Sequence, residues 1–217
     1  MISHEHKCIF IHIAKCAGSS IVSDLGIDIN DLIYKNDNSA FGWDEQNKIW
    51  LQHATPQQLI DLNYISNEQW DSYYKFIVYR NTWDKCYSDY LWMLRVKRVK
   101  GSFYDYLYKR KDFKKILTEK YDYDYAGDHL YKQKSYFFLN GKEIKYDKEI
   151  NFDKLDNGLK SVAEDLNLDN TFFSHHINKG QGKKDHYSKF YNFWQKWLVY
   201  FRYKEDIDFF NFKFVNK

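Results

Sequence analysis

Short apolar runs along the chain predict the strands of an α/β sheet. The predicted strands cover residues 8–13, 74–79 and 148–152. The first two are rich in β-branched and aromatic side chains, which is the composition of buried parallel strands. Residues 137–139 and 143–146 predict a hairpin, because Asn140 and Gly141 between them form a preferred two-residue turn.

Polar caps and helical spacing predict the helices between these strands. Thr55 is followed by Pro56 at the first helical position and by Gln58 three residues after the cap, which is a capping-box start. The other predicted helices cover residues 19–25 before a stop at Gly26, 82–96 with Thr82 as the cap, 157–167 with a core stripe, and 187–210. Residues 28–50 have no clear periodicity and are predicted to form a variable excursion.

Composition and charge narrow the functional classes. The chain has 217 residues, of which 20% are aromatic and one is proline, and this predicts a single globular domain spanning residues 1–217. The net charge of +3 is too small to predict nucleic-acid binding. Few residues precede the first strand, so no signal peptide or membrane span is predicted. Three cysteines without metal-like spacing favour a reducing, cytoplasmic setting.

The segment after the first strand has the composition of an anion-binding loop. Its candidate residues are Lys15, Cys16, Ala17, Gly18, Ser19 and Ser20. Small side chains let the backbone approach a phosphate, a helix N-terminus attracts it, and Lys15 adds a full charge. The Walker pattern is absent, because Gly18 follows the lysine instead of preceding it. On these residues alone, an ordinary strand–turn–helix with a solvated lysine is an alternative.

A second candidate phosphate site follows the strand at residues 74–79. Arg80 at the strand end offers a forked and permanently charged group, and Ser88 lies one to two turns into the next helix. The alternative interpretation is an Arg80 paired with Asp84 or Asp89 and an incidental serine.

Three further segments carry candidate chemistry. His53 lies two residues before the Thr55 cap, at a strand-to-helix junction of the kind where α/β enzymes place reactive groups, although a lone histidine is more often structural. Residues 92–125 alternate basic and aromatic side chains, which favours a solvated amphipathic helix over a binding stripe. The adjacent His175 and His176 do not predict zinc, because neighbouring side chains diverge.

Two segments resemble motifs of the sulfotransferases that use 3′-phosphoadenosine 5′-phosphosulfate (PAPS). Residues 10–21 resemble the loop Phe-Ile-His-Ile-Pro-Lys-Thr-Ala-Gly-Thr-Ser of the carbohydrate branch, with Ala14 for the proline and Cys16 for the threonine. The segment that begins at Arg80 resembles the 3′-phosphate motif Val-Arg-Asn-Pro-Tyr/Trp-Asp-Arg-x-x-Ser-x-Tyr, with Thr82 for the proline and Lys85 for the arginine. The two motifs occur in the order typical of that family.

The resemblance implies a fold and a reaction. The fold would be α/β, with a central parallel sheet flanked by helices, similar to the P-loop kinases. The reaction would be transfer of a sulfuryl group from PAPS to an acceptor hydroxyl, most simply on a saccharide or a glycolipid, leaving 3′-phosphoadenosine 5′-phosphate (PAP). No metal is implied.

The same resemblance implies roles for individual residues. The loop from Lys15 to Ser20 would hold the 5′-phosphosulfate, with Lys15 also stabilising charge on the leaving group. Arg80, Ser88 and Lys179 would hold the 3′-phosphate. Similar carbohydrate sulfotransferases carry a base histidine after their second strand, which here corresponds to His53. His129 and Gln133 lie in a segment similar to the family's His-x-x-x-Gln-Ser and would bind or position the acceptor.

Two other functions remain open. A P-loop small-molecule or nucleotide kinase would need Mg²⁺, usually with a carboxylate at a second strand end, and Arg80 stands at that position instead. A non-catalytic nucleotide-binding module would keep the phosphate loops without the chemistry.

Overall fold

The computed structural model describes residues 1–27, 35–174 and 185–217. Its strands are β1 (Ile2–Ser3), β2 (Cys8–His12), β3 (Trp43–Asp44), β4 (Ile49–Trp50), β5 (Tyr74–Tyr79), β6 (Phe138–Leu139), β7 (Lys142–Glu143) and β8 (Lys148–Asn151). The main feature is a four-stranded mixed sheet in the order β1-β2-β5-β8, flanked by helices. The predicted α/β class is therefore confirmed. The P-loop-kinase-like identity of the fold stays a prediction.

Three strands of the main sheet run parallel, as the apolar runs predict. β2 pairs with β5 with His12 opposite Val78, and β5 pairs with β8 with Val78 opposite Ile150. Every residue of β2 is buried, which explains its continuous apolar composition. β1 joins antiparallel to β2. Because parallel strands end at the same sheet edge, the loop after β2 and the end of β5 share the carboxyl edge, where α/β folds bind ligands.

The chain divides into two compact units, each made of separate chain segments. The first unit comprises residues 1–79 and 135–179, and the second comprises residues 80–134 and 180–217. Besides the strands, the first unit contains α1 (Gly18–Asp24), α2 (Pro56–Asp61), α3 (Asn67–Ser72) and α7 (Leu155–Asp165). The second contains α4 (Thr82–Arg95), α5 (Phe103–Leu107), α6 (Asp112–Lys114), α8 (Phe193–Arg202) and α9 (Lys204–Phe209).

Local signals in the first unit are confirmed with small changes of boundary. Gly26 follows α1 with φ 73°, the left-handed conformation expected of a helix stop. Thr55 forms the predicted capping box with Gln58 at the start of α2. Asn140 and Gly141 both have positive φ and join β6 to β7 as the predicted hairpin. That hairpin and the small β3–β4 hairpin are separate from the main sheet, and β3–β4 lies within the predicted excursion.

The second unit departs further from the predictions. Asn81, not Thr82, caps α4, because the Asn81 side chain accepts from the backbone N–H of Trp83. The long solvated helix predicted across residues 92–125 is wrong. α4 ends at Arg95, and the chain continues through α5, α6 and a wide turn over Lys115–Glu119. Phe103, Tyr106 and Phe113 are buried there in an aromatic core with residues of α4, α8 and α9.

Among the described residues, no helix combines the length and the apolar composition needed to cross a bilayer.

The three cysteines are all buried and none forms a disulfide, so we expect their thiols to be unreactive in the folded protein. Burial raises the pKa of the Cys8 and Cys86 thiols to about 12, and the Cys16 side chain is fully inaccessible. Because the thiolate is the reactive form, we expect none of the three to react with a disulfide reagent at pH 8 while the protein is folded. All three should react in concentrated guanidinium chloride. Rapid labelling of the folded protein would contradict the described packing.

Candidate functional site

The loop after β2 makes a tight turn before α1 begins. The backbone N–H of Cys16 donates to the carbonyl of Ile13 (3.1 Å), and Lys15 and Ala17 adopt left-handed conformations with φ of 69° and 63°. Ala17 then serves as the N-cap of α1 without a side-chain bond. The turn brings Gly18, the first residue of α1, back over the end of β2.

Gly18 lies directly against the ring of His12, the last residue of β2. A Cβ atom at position 18 would stand 1.8 Å from His12 Nε2, so no larger residue fits while that ring stays in place. The His12 ring is buried and stacks on Phe10, with 5.5 Å between the ring centroids. Position 18 therefore requires glycine, because the His12 ring occupies the space that a side chain would fill.

His53 also contacts the His12 ring. The two imidazoles meet edge to face, with 4.7 Å between their centroids and 64° between their planes. His53 ends a short 3-10 turn (Leu51–His53) between β4 and α2. The predicted strand-to-helix junction is therefore present, but its strand belongs to the small β3–β4 hairpin and not to the main sheet. His53 nevertheless belongs to the same unit as the anion-loop candidate and lies close to that loop.

A tyrosine pair fixes the backbone of His53. Tyr136 Oη donates to the His53 carbonyl oxygen (2.6 Å), and Tyr146 Oη donates to the Tyr136 carbonyl oxygen (2.5 Å). Tyr136 is almost fully buried. These two bonds hold the main chain at His53.

The side chains of the loop divide by exposure. Ser19 is exposed, and Lys15, Ala17 and Ser20 are half-buried. Cys16 points inward and its thiol donates to the Ala14 carbonyl (3.8 Å). The backbone N–H groups of Cys16, Ser20 and Ile21 already donate within the loop. The Cys16 side chain therefore supports the loop from inside, and the predicted cofactor contact of this residue stays a prediction.

Arg80 is held at the start of the second unit by two sets of contacts. Its Nε donates to Asp84 Oδ2 (2.7 Å), and both side chains are about nine-tenths buried. The Gln133 amide pairs with both backbone groups of Arg80, accepting from its N–H (3.0 Å) and donating to its carbonyl (2.8 Å). The ion pair with Asp84 is the one that the structural interpretation of Arg80 predicts. It uses one of the five N–H donors of a guanidinium.

The two predicted acceptor residues are both buried. Gln133 is fully inaccessible, so it positions Arg80 and does not contact a ligand in this conformation. Asp206 in turn accepts from the backbone N–H groups of Gln133 (3.0 Å) and Lys134 (2.9 Å), and burial raises the pKa of the Asp206 carboxyl. Gln133 therefore positions the Arg80 backbone, and its role toward an acceptor stays a prediction.

His129 belongs to a buried polar cluster around α4. Its Nδ1 lies 2.5 Å from Asp89 Oδ1, whose other oxygen accepts from Tyr106 Oη (2.9 Å). Trp92 stacks on the imidazole, with 4.5 Å between the ring centroids, and Lys85 Nζ donates to the His129 carbonyl (2.8 Å). The Asp89 carboxylate fixes the orientation of the His129 ring.

The remaining predicted residues are less informative. Ser88 is half-buried on α4, in its second turn. Lys179 and the paired histidines at 175 and 176 lie outside the described residues.

Sequence reasoning missed His12 and Tyr136 as parts of the site. His12 is the one polar side chain of an otherwise apolar strand and comes immediately before the loop, which was the available signal. Tyr136 carried no comparable signal, because its role depends on where the chain returns to His53.

Comparison with protein-family models, characterised proteins and solved structures found no match to this chain. The likeness to sulfotransferases therefore rests on the two motifs.

The contact between Gly18 and His12 predicts that replacing Gly18 by alanine lowers the free energy of unfolding. On helix propensity alone, Gly18→Ala would stabilise the protein by up to about 1 kcal/mol. The overlap with the His12 ring reverses this, and we expect a loss of about 1–3 kcal/mol, typical of overpacking. Chemical denaturation measures the change. In a His12→Ala background the same substitution should become neutral or stabilising, and an equal loss in both backgrounds would contradict the contact.

Proposed function

We propose that the protein transfers a sulfuryl group from PAPS to a hydroxyl of a saccharide or glycolipid acceptor. The observation that carries the proposal is the cluster formed by the Lys15–Ser20 loop, His12 and His53. It sets a histidine beside a small-residue loop that carries a lysine and two hydroxyls, at the carboxyl edge of a parallel sheet.

The donor set of the loop suits a sulfated phosphate. Lys15 supplies a positive charge, and the exposed Ser19 and half-buried Ser20 supply hydroxyl donors. Gly18 lets the loop pack closely over the His12 ring. Charge-assisted hydrogen bonds of this kind are the strong ones for phosphate and sulfate oxygens.

Each residue has a separate task in the proposed reaction. His53 takes the proton from the acceptor hydroxyl, because histidine is the side chain most often used as a general base near neutrality. Lys15 stabilises the negative charge that develops as the bond between sulfur and the bridging oxygen breaks. His12 supports the ring of His53 and the loop at once, and is a positioning residue.

Arg80 supplies a second, permanently charged group for the proposed cofactor. Its guanidinium would bind the 3′-phosphate, as in the resembling motif, while keeping or exchanging its bond to Asp84. The kinase alternative gains no support from this position, because the strand end carries a cation and not a carboxylate for Mg²⁺.

The experiment that tests this function follows the sulfuryl group itself. The protein is incubated with sulfur-labelled PAPS and one acceptor at a time. The acceptors are a sulfated-glycan precursor, a glycolipid and a tyrosyl peptide. The proposal predicts label in the saccharide or glycolipid and release of PAP, both lost in His53→Ala. Transfer of phosphate from labelled ATP with Mg²⁺ to the same acceptors, without sulfuryl transfer, would overturn it.

A further inference from the structure

The second unit exposes a stripe of large aromatic side chains on α8. Phe193, Trp194, Trp197 and Phe201 are 64%, 71%, 40% and 69% exposed. With the half-exposed Tyr108 after α5, they form what we call the aromatic face. Contiguous apolar surface of this kind on a folded protein marks an interaction site far more often than single exposed residues do.

The helix geometry makes this stripe continuous. At about 100° per residue, positions 193, 194, 197 and 201 fall within one arc of about 100°. Trp197 stacks on Phe201 with 5.8 Å between centroids, and Phe193 meets Trp194 at 5.4 Å. Val199, on the opposite side of α8, is fully buried in the aromatic core. One side of α8 therefore packs into the core, and the aromatic face is a second apolar side, which is exposed.

A shallow groove of about 450 Å³ runs along this face. Its lining residues are Tyr104, Tyr108, Phe193, Trp194, Trp197, Leu198 and Phe201. None of these side chains is a carboxylate, an amide or a guanidinium, which are the groups that a saccharide site needs for its many hydroxyls. Tryptophan and tyrosine instead suit the boundary between hydrocarbon and water, because an apolar ring carries one polar atom.

Basic residues gather beside one end of the face. The Arg110 guanidinium lies 4.7 Å from the centre of the Tyr108 ring, and Arg202 donates to the Leu107 carbonyl. Burial and the nearby charge of Arg202 lower the pKa of Lys109, which places these two cations close together. Lys111 is paired with Asp105 and Lys204 with Asp208, so Lys109, Arg110 and Arg202 are the cations that supply positive charge beside the face.

We propose that the aromatic face is a membrane-binding surface that docks on lipid bilayers with anionic headgroups. The rings enter the boundary between headgroups and acyl chains, and Lys109, Arg110 and Arg202 meet the lipid phosphates. Basic residues beside an aromatic apolar face are the combination by which amphipathic surfaces bind such bilayers. The inference does not depend on the proposed sulfuryl transfer, although membrane docking would bring a glycolipid acceptor within reach.

Binding to vesicles tests the proposal directly. The full chain is sedimented with phosphatidylcholine vesicles and with vesicles that also contain about 30% phosphatidylglycerol. We expect binding to the anionic vesicles, a blue shift of tryptophan fluorescence, and weakening between about 0.1 M and about 0.5 M salt. A double Trp194→Gln, Phe201→Gln variant should bind about tenfold more weakly or worse, because it removes most of the inserted apolar area.

Two control variants separate insertion from charge and from general surface changes. Lys109→Gln with Arg110→Gln should weaken binding to anionic vesicles by about fivefold for each cation and leave neutral vesicles unaffected. Tyr123→Gln, at a tyrosine that is 57% exposed elsewhere in the same unit, should change neither. Thermal melting confirms that each variant is folded.

Two results would overturn the proposal. The first is an absence of binding to anionic vesicles by the folded wild-type protein. The second is a wild-type dimer in light scattering that Trp194→Gln with Phe201→Gln converts to a monomer while vesicle binding stays unchanged, because the occupant of the face would then be a second copy of the chain.

Discussion

Replacement of His53 by alanine should lower the rate of the proposed sulfuryl transfer by about 10²- to 10⁴-fold, the usual contribution of a positioned general base. The fold should survive the change, because Tyr136 bonds to the backbone carbonyl of His53 and not to its ring. The affinity for PAP should also stay within a few-fold of wild type, since the loop that carries Lys15 is untouched. Steady-state kinetics and PAP titration measure the two effects separately.

Two variants control for this prediction. His4→Ala removes a half-buried histidine that bonds to Tyr73, away from the loop, and should leave the rate unchanged. His12→Ala removes the ring that supports His53, so it should lower kcat and shift the pH at which the rate is half-maximal. Equal loss of rate and of PAP affinity in His53→Ala would show that the residue binds the donor and is not the base.

Replacement of Arg80 by alanine should destabilise the protein by about 3–5 kcal/mol, because it leaves the Asp84 carboxylate buried without its cation. Urea denaturation gives the change in free energy of unfolding. Replacing both partners by apolar residues, Arg80→Met with Asp84→Leu, should cost much less, because no uncompensated charge then remains. Gln133 holds the Arg80 backbone in either case.

An exposed pair with the same spacing provides the comparison for this effect. Lys204 and Asp208 on α9 also stand four residues apart, but both side chains are about half exposed. Lys204→Ala should therefore cost no more than about 0.5 kcal/mol. If Arg80→Ala is equally mild, the Arg80–Asp84 bond is not the buried contact described. The expected instability also means that Arg80→Lys, which keeps the charge, is the better variant for measuring PAP binding.

Much of the first unit follows from local sequence signals. β2 and β5 are apolar runs, α2 has a complete capping box, and Asn140-Gly141 forms its turn, so each element is specified within a few residues. The second unit is different. Phe103, Tyr106 and Phe113 lie in a segment that mixes basic and aromatic residues, a pattern that favours a solvated helix, but their rings are buried together in an aromatic core. Tertiary burial decides their structure, and periodicity does not reveal it.

The site divides in the same way. The loop from Lys15 to Ser20 and the place of His53 beside a helix start could be read from residue types and spacing. The inward direction of Cys16 and the burial of Gln133 could not, because both depend on neighbours distant in sequence. His12 is the clearest case. Its sequence position suggests only a strand residue, and its function as the support of Gly18 and His53 appears only when the loop folds back over β2.

The most direct test of the central claim is the affinity of the protein for PAP, measured by titration calorimetry without metal. The account predicts saturable binding that Lys15→Met weakens by about 10- to 100-fold, the worth of a charge-assisted bond to phosphate. Lys142→Met, which removes an exposed lysine on the β6–β7 hairpin, should have no effect. Binding of ATP with Mg²⁺ in place of PAP would contradict the account. A PAP affinity that Lys15→Met leaves unchanged would also contradict it.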